Sequence, residues 1–276
     1  MAAEILDGKK VAKEILRQVR QRAKGKQLKL AVIQVGQNKI SETYIAEKQK
    51  VGAEAGIAVQ VFWLSPDITQ EGLEQEVTQI STDPNTHGVI VQLPLPKHIN
   101  REEVLSKIPL EKDVDVLSET ALEQFKENTF PVLPPTVGAV QALFSAYGVE
   151  IRGKKVVLVG HGRLVGVPLG IWLKNQGVQF EIADKATKDL SALCRTADII
   201  ISGVGIPKLI TGDMIKQGAV VIDAGTSVES GKTSGDVDFV SVSAKASFIT
   251  PVPGGVGPLT VACLFHNLVT LADKRV

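Results

Sequence analysis

The sequence predicts an α/β protein of two domains, the second built on a nucleotide-binding sheet, and three observations carry that prediction. At 276 residues the chain is longer than one hydrophobic core usually serves. Short β-branched runs alternate with amphipathic stretches throughout, the pattern of βα units around a mainly parallel sheet. A glycine-rich turn at residues 160–166 separates a buried-strand pattern from the start of a helix.

Composition narrows the function classes. With 44% hydrophobic and 22% charged residues the chain carries an aliphatic core and is not disordered. Thirty-one Lys plus Arg against 30 Asp plus Glu leave a formal charge of +1, so no global field would hold nucleic acid or an anionic membrane. Any anionic ligand must therefore be met locally. Cys194 and Cys263 stand far apart without metal-ligand spacing, which reads as two free thiols in a reducing compartment and no metal site. Residues 1–7 lack a signal pattern and no apolar run approaches the roughly 18 residues of a membrane span. The expectation is a cytoplasmic protein.

Taken in order, Val11, Ile15, Leu16 and Val19 lie at helical spacing before Gly25 and predict a first helix over most of 9–24. Strands follow at 30–35, 59–64 and 89–93. Between the first two, residues 41–55 read as a helix ended by Gly56, which sets Tyr44 and Lys48 on one face. Residues 131–135 break regular structure, because each proline removes an amide donor and biases its predecessor away from helix. The domain crossover is placed there. Beyond it come a helix at 137–147, strands at 155–160, 178–184, 198–203, 219–223 and 247–251, and a closing helix at 259–274 with Val261, Leu264, Phe265, Leu268 and Leu271 at helical spacing. The domains are thus expected at 1–135, with the helix 259–276 packing back on it, and 136–258.

The strongest chemical signal is the turn itself. Gly160, Gly162 and Gly166 leave room for a pyrophosphate to approach the backbone, and the following helix offers unpaired amides to it. Three residues rather than two separate Gly162 from Gly166, so the turn alone is balanced between dinucleotide binding and a plain tight turn. Asp184, 24 residues after Gly160 and ending the next strand, favours binding, since an acid there accepts ribose hydroxyls. Tyr44 with Lys48, the run Gln92-Leu93-Pro94-Leu95-Pro96, and Lys112-Asp113-Val114-Asp115 are weak singly: a solvated helix face, a strand end and a capped turn explain each. The run 253–258, Pro-Gly-Gly-Val-Gly-Pro, follows a strand and suits a loop that a ligand approaches.

Together these residues form an ordered set that resembles the bifunctional methylenetetrahydrofolate dehydrogenase/cyclohydrolases over nearly the whole chain. The set runs through Leu6-Asp7-Gly8-Lys9, Ser41-x-x-Tyr44-x-x-x-Lys48, Val91-Gln92-Leu93-Pro94-Leu95-Pro96, Lys112-Asp113-Val114-Asp115 and Pro251-Val252-Pro253-Gly254-Gly255-Val256-Gly257-Pro258-x-Thr260. The resemblance implies a folate domain, a Rossmann-like C-terminal domain, a cleft between them and a homodimer. It implies oxidation of 5,10-methylenetetrahydrofolate and hydrolysis of the methenyl product to 10-formyltetrahydrofolate. Hydride loss is driven by the folate nitrogens and mainly needs cofactor and folate in contact, whereas hydrolysis needs a group that changes protonation near neutral pH.

The candidate catalytic residues are Lys48, Gln92, Tyr44 and Asp115, with Lys48 moving the proton and Gln92 orienting it. In the family pattern Tyr44 stacks on the folate's aromatic section and Asp115 accepts the pterin N–H groups; Pro94, Gly255 and Pro258 complete the substrate contacts. The candidate cofactor contacts are Gly160, His161, Gly162, Arg163, Val165, Gly166, Asp184, Lys185 and Gly225. The chain departs from the family at Gly160-His161-Gly162 (usually Gly-Arg-Ser), Ala183-Asp184-Lys185 (usually Cys-His-Ser), Asp115-Val116 (usually Asp-Gly) and Leu133-Pro134-Pro135-Thr136-Val137-Gly138 (usually Pro-Cys-Thr-Pro-x-Gly). The family favours NADP, while Asp184 favours NAD as a close alternative. A short-chain dehydrogenase, which shares the Tyr-x-x-x-Lys spacing, is rejected by chain order, because its glycine turn precedes that pair. A catalytically silent or single-activity relative is disfavoured by the retained Tyr44, Lys48, Gln92 and Asp115. The apolar strands 178–182 and 198–202 are expected to expose a surface that a second copy covers.

Overall fold

In the computed structural model, which describes residues 3–229 and 232–274, the elements run in chain order β1 (Glu4–Ile5), α1 (Gly8–Ala23), β2 (Lys29–Val35), α2 (Lys39–Ala55), β3 (Ala58–Leu64), α3 (Gln70–Thr82), β4 (Gly88–Val91), α4 (Arg101–Leu105) and α5 (Glu119–Lys126). They continue with α6 (Pro135–Tyr147), β5 (Val156–Val159), α7 (Gly166–Asn175), β6 (Phe180–Ala183), α8 (Leu190–Thr196), β7 (Ile199–Ser202), β8 (Val220–Asp223), β9 (Ser227–Glu229), β10 (Lys232–Ser234), α9 (Phe239–Ser243), β11 (Phe248–Ile249) and α10 (Val256–Asp273). Residues 1–2 and 275–276 of the expected domain ends lie outside the described residues.

Residues 13–135 and the chain from Val261 onward form one compact unit. Its sheet has the order β3-β2-β4, all parallel, with Leu30–Ile33 of the central strand in register against Gly88–Val91. β2 is buried along nearly its whole length because helices cover both faces, which is why it reads as an apolar run and not as an alternation. Ala31, Ile33 and Val35 meet Leu73, Val77 and Ile80 of α3 and Val104 and Leu105 of α4. Thr69 starts α3 by accepting the Gly72 N–H at 3.1 Å, a cap that the sequence reading overlooked. Close packing fixes two glycines: a Cβ on Gly52 of α2 would stand 2.4 Å from Val59, and one on Gly88 would stand 2.6 Å from Val114.

α10 carries this unit's last contribution. Its 18 residues are long and apolar enough to cross a membrane by composition, contrary to the expectation that no run approaches that length. Most of the helix is buried in the fold, Phe265, Leu268 and Val269 completely, and the buried Asn267 donates to the carbonyls of Val114 and Leu133 at 2.9 and 2.8 Å.

Residues 136–260 with the chain's start through Ala12 form the other unit. Its six strands are all parallel in the order β1-β11-β8-β7-β5-β6, one more than expected. The extra strand corrects the assignment of the chain's start to the first domain: Glu4 and Ile5 pair with Phe248 and Ile249. Two residues give no readable alternation, and their partner lies far along the chain. The order doubles back between β5 and β7, so this is a Rossmann-like sheet with its ligand crevice beyond the carboxyl ends of those two strands. Strand 198–202 offers no surface to a second copy, because β7 lies between β5 and β8 and is buried throughout. β6 is an edge strand, exposed or half-buried along its length except at Ala183.

Candidate active site

In the first unit the strand order reverses at β2, which opens a crevice past the ends of β2 and β4. Gln92 is the first residue beyond β4, and its amide continues the ladder to the Ile33 carbonyl at 2.9 Å. Two bonds steady the turn that follows: Gln92 Nε2 and Ser41 Oγ donate to the Leu93 carbonyl at 3.2 and 3.4 Å. That leaves Gln92 Oε1 to accept from Lys48 Nζ at 2.9 Å. Ser41, Tyr44, Ile45 and Lys48 share one face of α2 through three- and four-residue spacing. The Tyr44 ring centroid stands 6.0 Å from Nζ, and the Leu93–Pro94 peptide is cis with Pro94 exposed.

Lys48 is only 8% exposed. Burial lowers its pKa, since an ammonium loses hydration there, and the Asp115 carboxylate offsets part of that shift. Burial likewise pushes Asp115 up to about 6, with Lys48 pulling it down and Asp113 raising it. The four-residue run 112–115 separates into two jobs. Lys112 Nζ donates to the carbonyls of Ser81 and Asp83, and buried Asp113 accepts the N–H groups of Leu117 and Ser118, so both are structural. Half-buried Asp115 accepts no hydrogen bond from any described residue. The next residue, Val116, has φ 56°, the left-handed region where the family's usual glycine costs nothing. A β-branched side chain there stores strain on the order of 1–3 kcal/mol, held by its burial.

Sequence reasoning missed Gln34. It is 1% exposed and lies beside Gln92, one step past the Ile33–Val91 pair and on the same side of the sheet. Its Nε2 donates to the carbonyls of Val35 and Gly36, while its Oε1 has no partner among the described residues. A glutamine inside a buried aliphatic run was the available signal.

In the second unit the turn after β5 begins at Gly160, whose φ of 102° suits glycine and whose N–H donates to the Ala183 carbonyl at 2.8 Å. A Cβ on Gly166 would stand 2.1 Å from the Gly160 carbonyl oxygen, so the turn closes backbone on backbone. Val165 packs against Gly203, where a Cβ would fall 2.3 Å from its side chain, and ties the turn to the end of β7. Gly162 has open space around it, with exposed His161 and half-buried Arg163 at its sides. This uncovered backbone ahead of α7 is open to the approach of a pyrophosphate.

Asp184 and Lys185 are exposed just past β6; Asp184 Oδ1 accepts the Ala186 N–H at 2.8 Å. Gly225 is buried, and a Cβ there would meet the Asp236 carboxylate at 2.2 Å, which gives that glycine a packing reason. The loop 251–258 folds against the chain's start: a Cβ on Gly8 would lie 1.7 Å from the Gly255 carbonyl, and the Lys9 N–H donates to Gly254 at 3.2 Å. Gly255 is buried, and Pro258 sits half-buried in the first turn of α10.

Known proteins match both units. Residues 6–115 match the catalytic domain, and 134–276 the NAD(P)-binding domain, of tetrahydrofolate dehydrogenase/cyclohydrolase. The bifunctional protein FolD of Moorella thermoacetica is 42% identical, with 99% of this chain and 100% of that protein covered. The crystal structure of the bifunctional FolD dehydrogenase/cyclohydrolase from Campylobacter jejuni superposes with a TM-score of 0.94 at 40% identity and full coverage of both chains. The FolD of Trypanosoma brucei, solved with NADP cofactor and an inhibitor, gives 0.94 at 37% identity, covering 100% of this chain and 99% of its own.

The Asp115 carboxyl has a measurable consequence for stability. Its folded value of about 6 lies above the ordinary 3.8, so between those values the native chain holds a proton that the unfolded chain has lost. Stability therefore falls as pH rises through that window. Asp115→Asn removes this loss, so urea midpoints should shift in the variant's favour as pH goes from about 4 to about 7. A gap that stays constant over that range would show the carboxyl to be unperturbed.

Proposed function

The chain belongs to the tetrahydrofolate dehydrogenase/cyclohydrolase family, and from that premise we propose how its own residues serve the two half-reactions. The enzyme oxidises 5,10-methylenetetrahydrofolate to 5,10-methenyltetrahydrofolate with a nicotinamide cofactor and hydrolyses the product to 10-formyltetrahydrofolate. When bound, the cofactor supplies the hydride acceptor. The protein's share of this step is placement, because lone-pair donation from the folate nitrogens expels the hydride without a protein base.

Hydrolysis is where the buried lysine acts, and the 2.9 Å bond from Lys48 Nζ to Gln92 Oε1 is the observation that carries this reading. Desolvation favours the neutral amine, which takes a proton from water as the water oxygen bonds to the methenyl carbon. The proton passes from Nζ to N5 as the C–N5 bond breaks, and the hydroxyl proton leaves to solvent as the formyl carbonyl forms on N10. Gln92 keeps Nζ aimed, Tyr44 stacks on the folate's aromatic section, and Asp115 accepts the pterin N–H groups. Pro94 contributes ring surface to the folate.

The dinucleotide is held at Gly160–Gly166, its pyrophosphate over the open backbone at Gly162; the start of α7 adds fewer donors than the sequence suggests, since the Val167 N–H goes to the Gly162 carbonyl at 3.0 Å and Pro168 has none. NADP is the cofactor, as in the Trypanosoma brucei relative. Arg163 and Lys185 meet the 2′-phosphate, while Asp184, with one oxygen already committed to Ala186, limits the preference and admits NAD. The chain works as a homodimer; β3 is a sheet edge bearing Trp63, which is 56% exposed, and a second copy would cover it. Two buried free cysteines suit the cytoplasm.

Three measurements bear on this. Lys48→Met should lower the cyclohydrolase kcat by about 10²- to 10⁴-fold and the dehydrogenase less, so that methenyltetrahydrofolate accumulates. Equal losses confined to KM would take Lys48 out of proton transfer. Asp184→Ser should raise the NADP over NAD ratio of kcat/KM, and an unchanged ratio would remove Asp184 as the discriminator. Sedimentation at micromolar protein should give a dimer mass; a concentration-independent monomer would refute the assembly.

A further inference from the structure

Deep in the second unit lie two carboxylates that neither half-reaction uses. Asp236 is fully buried, and its Oδ2 accepts Ser202 Oγ–H at 2.8 Å and the Val204 N–H at 2.7 Å, while its Oδ1 accepts the Ile206 N–H at 2.9 Å. Its own N–H donates to Asp223 Oδ1 at 3.1 Å. Asp223 also accepts the N–H groups of Gly225 and Val237, and its own amide donates to Thr250 Oγ1. Gly225 and Gly235 leave room for the pair: a Cβ on either would come within 2.2 Å of the Asp236 or Asp223 carboxylate.

Burying two carboxylates is expensive, and apolar side chains would fill the same space at lower cost. What the carboxylates provide is direction, since backbone amides from two separate loops converge on fixed oxygens. The loop fixed by Asp236 is 203–206, at the carboxyl end of β7. It lies against the glycine turn, with the Gly203 carbonyl 3.1 Å from where a Gly160 Cβ would be.

Strand order says which half of the ligand meets that loop. The sheet runs β6-β5-β7-β8. With the pyrophosphate at the turn after β5 and the adenosine ribose beside Asp184 after β6, the remaining half extends over the ends of β7 and β8. There the loop presents Val204 and Ile206, apolar side chains 38% and 48% exposed. We infer that Asp236 is a positioning residue that, braced by Asp223, holds loop 203–206 as an apolar rest for the nicotinamide half of the dinucleotide.

This rests on the dehydrogenase reading above, and the experiment keeps the two apart. Asp236→Asn keeps the shape but sets an amide N–H₂ against backbone donors. Calorimetry should show NADP⁺ binding weakened roughly 10- to 100-fold, the loss expected from disrupting charge-assisted hydrogen bonds, with a matching rise in its KM. Adenosine 2′,5′-bisphosphate, which lacks the nicotinamide half, should bind within about twofold of wild type, and cyclohydrolase kcat/KM should hold within the same margin. Unchanged NADP⁺ affinity, or equal weakening of both nucleotides, would overturn the assignment. Should the variant fail to fold, seen as loss of both activities, Ser202→Ala decides: it deletes one donor to the same carboxylate and should weaken NADP⁺ about three- to tenfold. No change there overturns the inference. Wild-type protein unable to oxidise methylenetetrahydrofolate with NADP⁺ would instead refute the dehydrogenase reading itself.

Discussion

Parallel pairing is the constraint on which both candidate sites depend. Parallel neighbours cannot be joined by a tight turn, so the chain crosses over between strands, mostly through helices, and all carboxyl ends gather on one side of the sheet. Where the order reverses, two crossovers leave in opposite directions and the strand ends between them stay uncovered. In the first unit that place lies between β2 and β4, where Gln92 sits; in the second it lies between β5 and β7, where Gly160 and Gly203 meet. The chemistry differs while the reason for its location is the same.

What occupies each opening follows from what backbone alone can do there. After β5, Gly160, Gly162 and Gly166 leave backbone uncovered, and that is the surface the proposed dinucleotide site offers an anion. At β4 the backbone is committed to the sheet ladder, and side chains do the work. Lys48 reaches in from α2 and is desolvated, and Gln92 supplies the acceptor that fixes Nζ. A lysine on an exposed helix face would stay protonated and hydrated. Beside the half-buried Gln92 amide and the Asp115 carboxyl, the same side chain is the one to which the proposed mechanism gives proton transfer.

The two units treat buried polarity alike. Asp113 binds the amides of Leu117 and Ser118 just after Asp115, and Asp236 binds those of Val204 and Ile206 beside the glycine turn. In each case a fully bonded carboxylate shapes the loop that carries a functional group. Val116 adds strain next to Asp115, and it is tolerated because the surrounding turn is bonded on both sides.

Local signals made much of this legible in the sequence. Helical spacing gave α1, α2 and α10, the apolar runs gave the parallel strands, and Gly160-x-Gly162-x-x-x-Gly166 before a helix gave a glycine turn between β5 and α7 in the NAD(P)-binding domain. The ordered motifs around Tyr44, Lys48, Gln92 and Asp115 gave the chemistry, because spacing along one helix and at one strand end survives in any fold that forms them. The resemblance singled out Asp115 over Asp113, and the tertiary structure supplied a physical difference between the two acids: Asp113 is bonded to the Leu117 and Ser118 amides, while Asp115 accepts no hydrogen bond from any described residue. The tertiary structure alone brought β1 to β11, Gln34 beside Gln92, and Asp236 under Val204 and Ile206. These pairings join residues distant in the chain, and no periodicity records a partner that arrives through sheet order. The sequence determined which chemistry the chain carries; the sheet, by deciding which strand ends stay open and which carboxylates are enclosed, decided the surroundings in which the candidate residues stand.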